Sequence, residues 1–337
     1  MTKKLLLMHT GGTLGMTGNR PTPLQPEAYA STVHRFVPEL RTIADVDFEI
    51  LFNLDSSDLQ PEQVEQIAAH VHARYRDYDG FVIIHGTDTM AYSAAALAFL
   101  LRGLAKPVIL TGSQRPLSEV RSDAKSNLIA ACVLAAETVP IPEVAVFFGT
   151  VLLRGCRTTK VHTVHLDAFA SPNCPPLAHV GLDVERGTHI RSPGAVLAPL
   201  GTLAHDIVAM RLLPGLDSKH LLGLLSQPVR GIVLEAFGLG NIPVRGRPIE
   251  PFLRAAAARN LPVVLTTQCL FGGVRPELYE GGRLALTTGA IAAGDMTVEA
   301  AAMKLAVLLG AEADVNTVRR EFAVDWAGER THLPGEA

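Results

Sequence analysis

The sequence predicts an α/β fold: a mainly parallel, doubly wound sheet in a large N-terminal domain, followed by a smaller C-terminal α/β domain. Short apolar, β-branched runs alternate with Ala- and Leu-rich runs at the spacing of βαβ units. Hydrophobic residues make up 48% of the 337 residues, which is enough for sizeable cores. A chain of this length also holds more residues than one core usually accommodates, which favours two domains.

The N-terminal domain is predicted to span 1–190. Its first strand is 4–9, which we interpret as a strand rather than a signal peptide because the apolar run is short and no cleavage site follows. Residues 18–26 are rich in Gly and Pro and predict a loop long enough to act as a lid. Further strands are predicted at 46–54, 79–84, 107–111, 144–148 and 151–154, the last two as a hairpin. Helices are predicted at 61–75, 90–100 and 122–137, and residues 154–189 show no clear periodicity.

A linker rich in Pro, Gly and Ala is predicted at 191–205, and the C-terminal domain at 206–337. There the βα rhythm restarts. Strands are predicted at 207–212, 231–235 and 262–266. Helices are predicted at 218–225, 250–259, 296–309 and 315–322.

Composition argues against several classes of partner. The formal net charge is −3, which gives no electrostatic reason to expect a nucleic acid or an anionic membrane. No apolar run is long enough to span a bilayer. The four cysteines are scattered and contain no CxxC pair, so reduced thiols in a cytoplasmic protein are expected.

Three early strands each end in a loop with small polar groups: Thr10–Thr13, Asp55–Asp58 and Thr87–Thr89. The carboxyl ends of parallel strands lie along one edge of a sheet, so these loops are predicted to converge on one pocket. Hydroxyls and helix-end amides suit a carboxylate, and the Asp88 carboxylate suits an ammonium, so the pocket suits a small zwitterion. The alternative is that Asp88 is a helix cap and Thr87 a turn residue.

A reacting hydroxyl could come from Thr13 or Thr87, and either would need a base beside it. Lys160, in the irregular segment after residue 154, is a candidate for that base. Several other motifs have plain structural interpretations. His85 is expected to pack against the pocket, and Ser122 or Asp123 to cap a helix. His162, His165 and Asp167 are interpreted as loop residues rather than metal ligands.

Seven segments together resemble the bacterial-type L-asparaginases, and most closely their cytoplasmic type I branch. The first and third of them are highly specific, and late landmarks at 237–241, 267–269 and 294–300 extend the similarity over nearly the whole chain. The segments are 10–15 (TGGTLG), 55–58 (DSSD), 85–92 (HGTDTMAY), 110–114 (LTGSQ), 121–123 (RSD), 154–160 (RGCRTTK) and 167–173 (DAFASPN).

The resemblance implies hydrolysis of the side-chain amide of L-asparagine to L-aspartate and ammonia, without a metal or organic cofactor. It implies that Thr13 is the nucleophile that forms an acyl-enzyme, and that Thr87, Asp88 and Lys160 form a second catalytic group with Lys160 as proton acceptor. It also implies that Asp55, Ser56 and Ser57, together with Thr87 and Asp88, hold the substrate. Family members are homodimers or dimers of dimers, so Asn241 is expected either to reach a neighbouring pocket or to be an ordinary turn residue.

Two departures from the family pattern stand out. The family lid carries a tyrosine, whereas residues 16–26 contain none and Tyr29 falls where a helix is expected to begin. Type I members activated at a separate site use an arginine where this chain has Glu235, so we expect hyperbolic kinetics. The alternative functions are a relaxed glutaminase-asparaginase, an amidase acting on a larger amide, and an amino-acid sensor that has lost turnover.

Overall fold

The computed structural model of the protein describes residues 2–17, 22–23, 35 and 37–331, and divides into two α/β units, Met1–Leu200 and Gly201–Ala337. The strands of the first unit are β1 Lys4–Gly11, β2 Met16–Thr17, β3 Thr22–Pro23, β4 Asp45–Leu54, β5 Gly80–Ile84, β6 Val108–Thr111, β7 Val144–Phe148, β8 Val151–Arg154, β9 Thr159–Lys160, β10 Phe169–Ala170, β11 Ala178–Val180 and β12 Val184–Arg186. Its helices are α1 Leu40–Ile43, α2 Pro61–Arg74, α3 Met90–Leu100 and α4 Ala124–Ala135.

The main sheet of the first unit has eight strands in the order β12-β11-β8-β7-β6-β5-β1-β4. Strands β4, β1, β5, β6 and β7 are parallel neighbours, and β8 turns back antiparallel to β7. The predicted parallel sheet and the predicted 144–154 hairpin are therefore confirmed. Because β1 lies between β4 and β5, the loops after these three strands leave the same edge side by side.

Helices cover both faces of this sheet, as the apolar strand sequences require. On one face Val82 and Ile84 pack in a core cluster with Leu128 of α4. Successive side chains of a strand point to opposite faces, and on the other face the Tyr75 ring, at the end of α2, stacks on Phe81 at 6.1 Å. All of β5 is buried. A parallel strand covered on both faces has a continuous apolar sequence rather than an alternating one.

The second unit contains a four-stranded parallel sheet in the order β13-β14-β15-β16. Its strands are β13 Ile207–Arg211, β14 Gly231–Ala236, β15 Val263–Thr267 and β16 Ile291–Ala292. Its helices are α5 Ser218–Leu222, α6 Glu250–Ala258, α7 Glu280–Thr287, α8 Val298–Gly310 and α9 Val315–Ala323. None of the helices in the described ranges is long and apolar enough to cross a bilayer.

A buried ion pair fixes the segment after α9. The Lys304 ammonium on α8 lies 2.5 Å from a carboxylate oxygen of Glu329, and both side chains are fully buried. Lys304 also donates to the carbonyl of Val324, and the Glu329 carboxylate accepts the backbone N–H groups of Trp326 and Ala327. Burial lowers the pKa of Lys304 below its usual value. The pair ties residues 324–329 to the helix.

Several elements differ from the sequence prediction, among them α1 and β16, which were not predicted. Residues 154–189, which show no periodicity, contain four strands, β9 to β12, that are too short to display alternation. Thr22–Pro23, inside the predicted 18–26 loop, pairs with Met16–Thr17. Helix α7 was not predicted because its second and third residues are glycines. A side chain at Gly282 would lie 2.2 Å from the carbonyl oxygen of Pro276, so close packing of the backbone explains that glycine.

Candidate active site

The three polar loops meet through backbone contacts that only glycine permits. Gly11 has a positive φ of 119°, and a Cβ there would lie 1.9 Å from the carbonyl oxygen of Leu54. A Cβ on Gly12, whose φ is 91°, would lie 2.5 Å from the Cα of Gly86. A Cβ on Gly86 would in turn lie 2.6 Å from the hydroxyl oxygen of Ser56. The loops after β1, β4 and β5 are therefore in direct contact, as the sequence predicts.

Each of the two candidate threonines directly follows one of the glycines in contact. Thr13 follows Gly12 and opens a short 3₁₀ turn, Thr13–Gly15, with a partly exposed side chain. Thr87 follows Gly86 and is 8% exposed. The hydroxyl of Thr10 donates to the carbonyl of Ile84 at 2.9 Å, which adds a second tie between the two loops. The fold thus holds two threonine hydroxyls on adjacent backbone segments.

Lys160 reaches this region from the β9–β10 hairpin. Backbone pairing of Lys160 with Phe169 fixes its position. The ammonium nitrogen donates to the Thr87 hydroxyl oxygen at 2.8 Å and to Asp88 Oδ1 at 2.7 Å. The Lys160 side chain is 19% exposed, whereas that of Asp88 is 65% exposed. The structure therefore brings together three of the predicted site residues, a hydroxyl, an amine and a carboxylate.

The alternative that Asp88 caps the helix after β5 is wrong. The N-cap position of α3 is Thr89, and no side chain there makes a capping hydrogen bond. The Thr89 hydroxyl instead donates to the carbonyl of Ser56 at 2.7 Å, which ties the loop after β5 to the loop after β4. The Asp88 carboxylate is paired with Lys160.

The loop after β4 is organised by Asp55 itself. One oxygen of its carboxylate accepts the backbone N–H of Ser57 at 2.9 Å and the Ser57 hydroxyl at 2.8 Å. The backbone hydrogen bond from Ser57, followed by the hydroxyl hydrogen bond, lowers the pKa of Asp55 below its usual value. Ser56 is buried at 3% exposure. An ionised carboxylate and two serines are therefore held in a short 3₁₀ turn beside Gly86.

Of Ser122 and Asp123, the two residues predicted to cap a helix, Asp123 has a different role. Its two carboxylate oxygens accept the backbone N–H groups of Gln114 and Arg115, at 2.9 and 3.0 Å. Its side chain makes no capping bond to α4, and the N–H of Ala124 donates to the Ser122 hydroxyl instead. Asp123 thus fixes the turn after β6, and it joins that turn to α4 by accepting the side-chain amide of Asn127 at 3.2 Å.

That turn carries Gln114, a site residue that sequence analysis did not assign. Its carbonyl oxygen lies 3.4 Å from the Thr87 hydroxyl, and its amide nitrogen donates to the carbonyls of Thr163 and His165. Gln114 therefore links Thr87 to the loop between β9 and β10. The Leu-Thr-Gly-Ser-Gln motif was the available signal, but only contacts in the folded chain show which of its side chains faces Thr87.

A buried ion pair supports the segment before Lys160. The Arg154 guanidinium donates to both oxygens of Glu143, at 2.5 and 3.0 Å, and to the carbonyl of His189. The hydroxyl of Thr158 donates to the Arg154 carbonyl at 2.8 Å. Glu143 was not predicted as part of this region, because nothing local in its sequence indicates a partner eleven residues away.

His85 is packed into the core and stays neutral near pH 7. It is 1% exposed, and its Nδ1 lies 2.7 Å from the carbonyl oxygen of Gly86, so that nitrogen carries the proton. Burial lowers the pKa of His85 to about 4. The expected packing role matches this position at the end of β5.

Other predicted residues lie in a range of settings. The His162 and His165 rings stack at 4.5 Å, and in the described parts of the chain no three His, Cys, Asp or Glu side chains form a group that could hold a metal ion.

The Glu235 carboxylate pairs with Arg211 at 2.6 Å, and the N–H of Asn241 closes a turn onto Phe237. Tyr29 and most of the expected lid lie outside the described residues.

Comparison with known proteins covers both units. Residues 4–191 match the family model "Asparaginase, N-terminal", and residues 206–322 match "Glutaminase/Asparaginase C-terminal domain". The chain is 41% identical to L-asparaginase 1 of Escherichia coli K12 over 98% of each sequence. It is similar to the crystal structure of L-asparaginase I from Vibrio cholerae, with a TM-score of 0.89, 36% identity and coverage of 98% of this chain and 100% of that one. It is also similar to the L-asparaginase structure from Thermococcus kodakarensis, with a TM-score of 0.88, 38% identity and coverage of 98% and 100%.

Proposed function

Because this chain belongs to the asparaginase family, its reaction is hydrolysis of L-asparagine to L-aspartate and ammonia, and we propose that Thr13, Thr87, Asp88 and Lys160 carry it out. The observation that carries the proposal is the contact of the Lys160 ammonium with both Thr87 and Asp88 beside the Thr13 loop. An amine in contact with a threonine hydroxyl is the arrangement that can activate an otherwise weak nucleophile.

The first half of the reaction forms an ester. The hydroxyl oxygen of Thr13 bonds to the side-chain amide carbon of asparagine, and its proton passes to the leaving nitrogen. Ammonia departs, and the aspartyl group stays on Thr13. Backbone N–H groups of the loops around Thr13 and Thr87 stabilise the negative oxygen of the tetrahedral intermediate.

The second half uses the Lys160 group. In its neutral form the Lys160 amine accepts the proton of the Thr87 hydroxyl, across the 2.8 Å contact, while Thr87 takes a proton from water. The water oxygen bonds to the acyl carbon, the ester bond to Thr13 breaks, and Thr13 regains a proton. The Asp88 carboxylate stabilises the ammonium form of Lys160 that results.

Substrate binding is assigned to the loop after β4. Ser56 and Ser57 offer hydroxyl and backbone groups to the α-carboxylate, while the Asp55 and Asp88 carboxylates offer partners to the α-ammonium. One oxygen of Asp55 is occupied by Ser57, and hydrogen bonds to its other oxygen are absent among the described residues, which leaves that oxygen for the substrate. The lowered pKa of Asp55 keeps it ionised, as pairing with an ammonium requires.

We further propose a cytoplasmic location and self-association as a homodimer or dimer of dimers. Cys132, Cys156 and Cys174 are buried thiols that form no disulfide, which suits a reducing compartment.

The second unit exposes large apolar side chains, including Phe271 at 69% and Tyr279 at 51%, which suits an interface between copies of the chain. Light scattering coupled to size-exclusion chromatography measures the oligomeric state directly.

One assay tests the function and separates the alternatives. Ammonia release is measured from L-asparagine and from L-glutamine with the native chain, with Thr13→Ala and with Thr42→Ala, an exposed threonine that serves as the matched control. We expect release from asparagine by the native chain and the control, and none above background with Thr13→Ala. Equal turnover of glutamine would support a relaxed glutaminase-asparaginase. Saturable binding of asparagine without ammonia release by the native chain would support an amino-acid sensor and overturn the proposal.

A further inference from the structure

A cavity of about 460 Å³ lies in the second unit, at the edge of its sheet where β14 and β15 begin. None of the residues assigned above to catalysis or substrate binding lines it. Ligand pockets for small molecules have volumes of roughly 300–1,000 Å³, and this cavity falls within that range. Its walls come from the ends of α6 and α8, the start of α9 and the turn before β16.

The inner wall of the cavity is apolar. Leu253 of α6, Val263 of β15 and Leu309 of α8 line it, and each is less than a tenth exposed. Ala290, before β16, is 3% exposed and continues the same surface. Transfer of an apolar ligand group from water onto this wall is favourable.

Polar side chains with hydrogen-bonding groups that remain unoccupied surround this wall. Arg230 donates one guanidinium nitrogen to the carbonyl of Leu309 at 2.7 Å, and Arg319 donates one to the carbonyl of Gly289 at 2.8 Å. Each arginine has five N–H donors, so most of its donors remain for another partner. The side-chain amides of Asn260 and Asn316 also line the cavity, and neither makes a hydrogen bond within the described residues.

The charge of the lining is positive. Arg230, Arg319 and Asp314 are its charged members. The Asp314 carboxylate accepts the backbone N–H of Thr317 at 2.7 Å, so it acts as the N-cap of α9. The two guanidinium groups are held at fixed points by backbone carbonyls, and their planar forks match the two oxygens of a carboxylate.

We propose that this cavity binds a small organic carboxylate with an apolar body, held by Arg230 and Arg319 and seated on the wall formed by Leu253, Val263 and Leu309. A bare anion would leave the apolar wall empty, and a neutral apolar molecule would leave the arginines unpaired. A carboxylate on a branched or aromatic body uses both features. This site is independent of the reaction assigned to the threonines.

Three probes test the chemistry: 4-methylpentanoate, its neutral amide, and acetate. Binding is followed by NMR through the methyl signals of Leu253 and Val263, with L-aspartate present to occupy the amino-acid pocket. We expect saturable shifts of those signals by 4-methylpentanoate, at about millimolar Kd. The amide and acetate should each bind about tenfold more weakly or worse, because each lacks one of the two interactions. Equal binding of acid and amide, equal binding of acid and acetate, or the absence of any shift would overturn the proposal.

Variants locate the site. Arg230→Gln combined with Arg319→Gln should weaken 4-methylpentanoate binding by about tenfold or more. Arg245→Gln, an exposed arginine outside the cavity, should bind with the Kd of the parent. Ala257→Trp places a large ring in the cavity from an exposed position of its lining and should also weaken binding. This variant tests the site if the double arginine variant fails to fold. Parental Kd values in both the filled and the arginine variants would contradict the assignment.

Discussion

The side-chain nitrogen of Lys160 lies 2.8 Å from the hydroxyl oxygen of Thr87, although 73 positions separate the two residues in the chain. Thr87 lies in the loop that follows β5 of the parallel sheet, and Lys160 lies in the short β9–β10 hairpin. The amine and the hydroxyl are therefore positioned by two different structural elements. Replacing either side chain should affect catalysis without affecting the element that carries it.

Lys160→Met should lower kcat by about 10³-fold, the usual contribution of a positioned proton acceptor, and change KM little. Methionine keeps the length of the side chain but accepts no proton from Thr87. Lys219→Met, at an exposed lysine, is the control. Mass spectrometry of rapidly quenched reactions should show Lys160→Met carrying one aspartyl group, because ester hydrolysis is the slowed step. A kcat close to that of the native chain would contradict the role given to Lys160.

Gly12→Ala should reduce asparagine turnover severely, because its methyl group would lie 2.5 Å from the backbone of Gly86 and push the two threonine loops apart. The matched control is Gly272→Ala, which has a similar φ of 85° and no atom within 4 Å of the added carbon. Both variants carry the strain of a positive φ, so a difference in kcat measures the close approach alone. Equal activities would show that contact between the loops does not matter.

Protein stability should rise with pH between about 4 and 6.5, because burial lowers the pKa of His85 and of His9 to about 4 in the folded state from the ordinary 6.5. In that window the unfolded chain binds protons that the folded chain does not, so acid favours unfolding. Each histidine contributes about 1.4 kcal/mol per pH unit to the slope. Urea unfolding at several pH values in this window gives the free energy of unfolding. For His85→Gln its slope with pH should be smaller by about 1.4 kcal/mol per pH unit.

An unchanged slope in His85→Gln would mean that the imidazole is protonated in the folded protein. His220→Gln, at a solvent-exposed histidine, is the appropriate control.

Lys304→Met should lower the free energy of unfolding by about 3–5 kcal/mol, because it leaves the fully buried Glu329 carboxylate without its cation. Combining Lys304→Met with Glu329→Gln should recover part of that loss, since neither charge then remains buried. Chemical unfolding of the two variants gives the comparison. Additive destabilisation in the double variant would show that the two side chains do not act as a pair.

Asparagine hydrolysis should follow hyperbolic rather than sigmoidal kinetics. In the family resemblance an activating site uses an arginine where this chain has Glu235, and here that carboxylate is paired with Arg211 at 2.6 Å. The Glu235 carboxylate would repel the carboxylate of an activating asparagine. Initial rates from micromolar to millimolar asparagine test this, and a Hill coefficient clearly above one would count against it.

Most strands of both sheets could be predicted from sequence because they form short apolar runs, and β5, β6 and β7 are buried throughout. The run Gly80–Ile84 is an example, with every residue buried and helices on either side. Convergence of the three loops could also be predicted, since parallel strands end along one edge. The elements that were missed are short or depend on distant contacts: the two-residue strand Thr159–Lys160 has no periodicity to detect, and α7 forms against the glycine propensity of its first turn.

For the candidate site, the residues that the structure brings together could be predicted, but the contacts that support them could not. Thr87 and Asp88 were predicted from their place between a strand and a helix. Ser122 or Asp123 was expected to cap α4. The Ser122 hydroxyl accepts the N–H of Ala124, whereas the Asp123 carboxylate holds the N–H groups of Gln114 and Arg115. Capping α4 and bonding the preceding turn are both possible for a carboxylate at this helix end. Only the path of that turn decides which of the two occurs. Gln114 was not assigned because its partners, at 163 and 165, lie far along the chain.

The contacts that join Gly11 to Leu54 and Gly12 to Gly86 involve main chain on both sides. Spacing there is set by covalent geometry and van der Waals radii, which amino-acid substitution cannot adjust in small steps. Gradual evolutionary tuning of this part of the enzyme is therefore restricted. Directed evolution toward other amides should accumulate its accepted changes in peripheral loops, while the three glycines stay invariant in every active descendant.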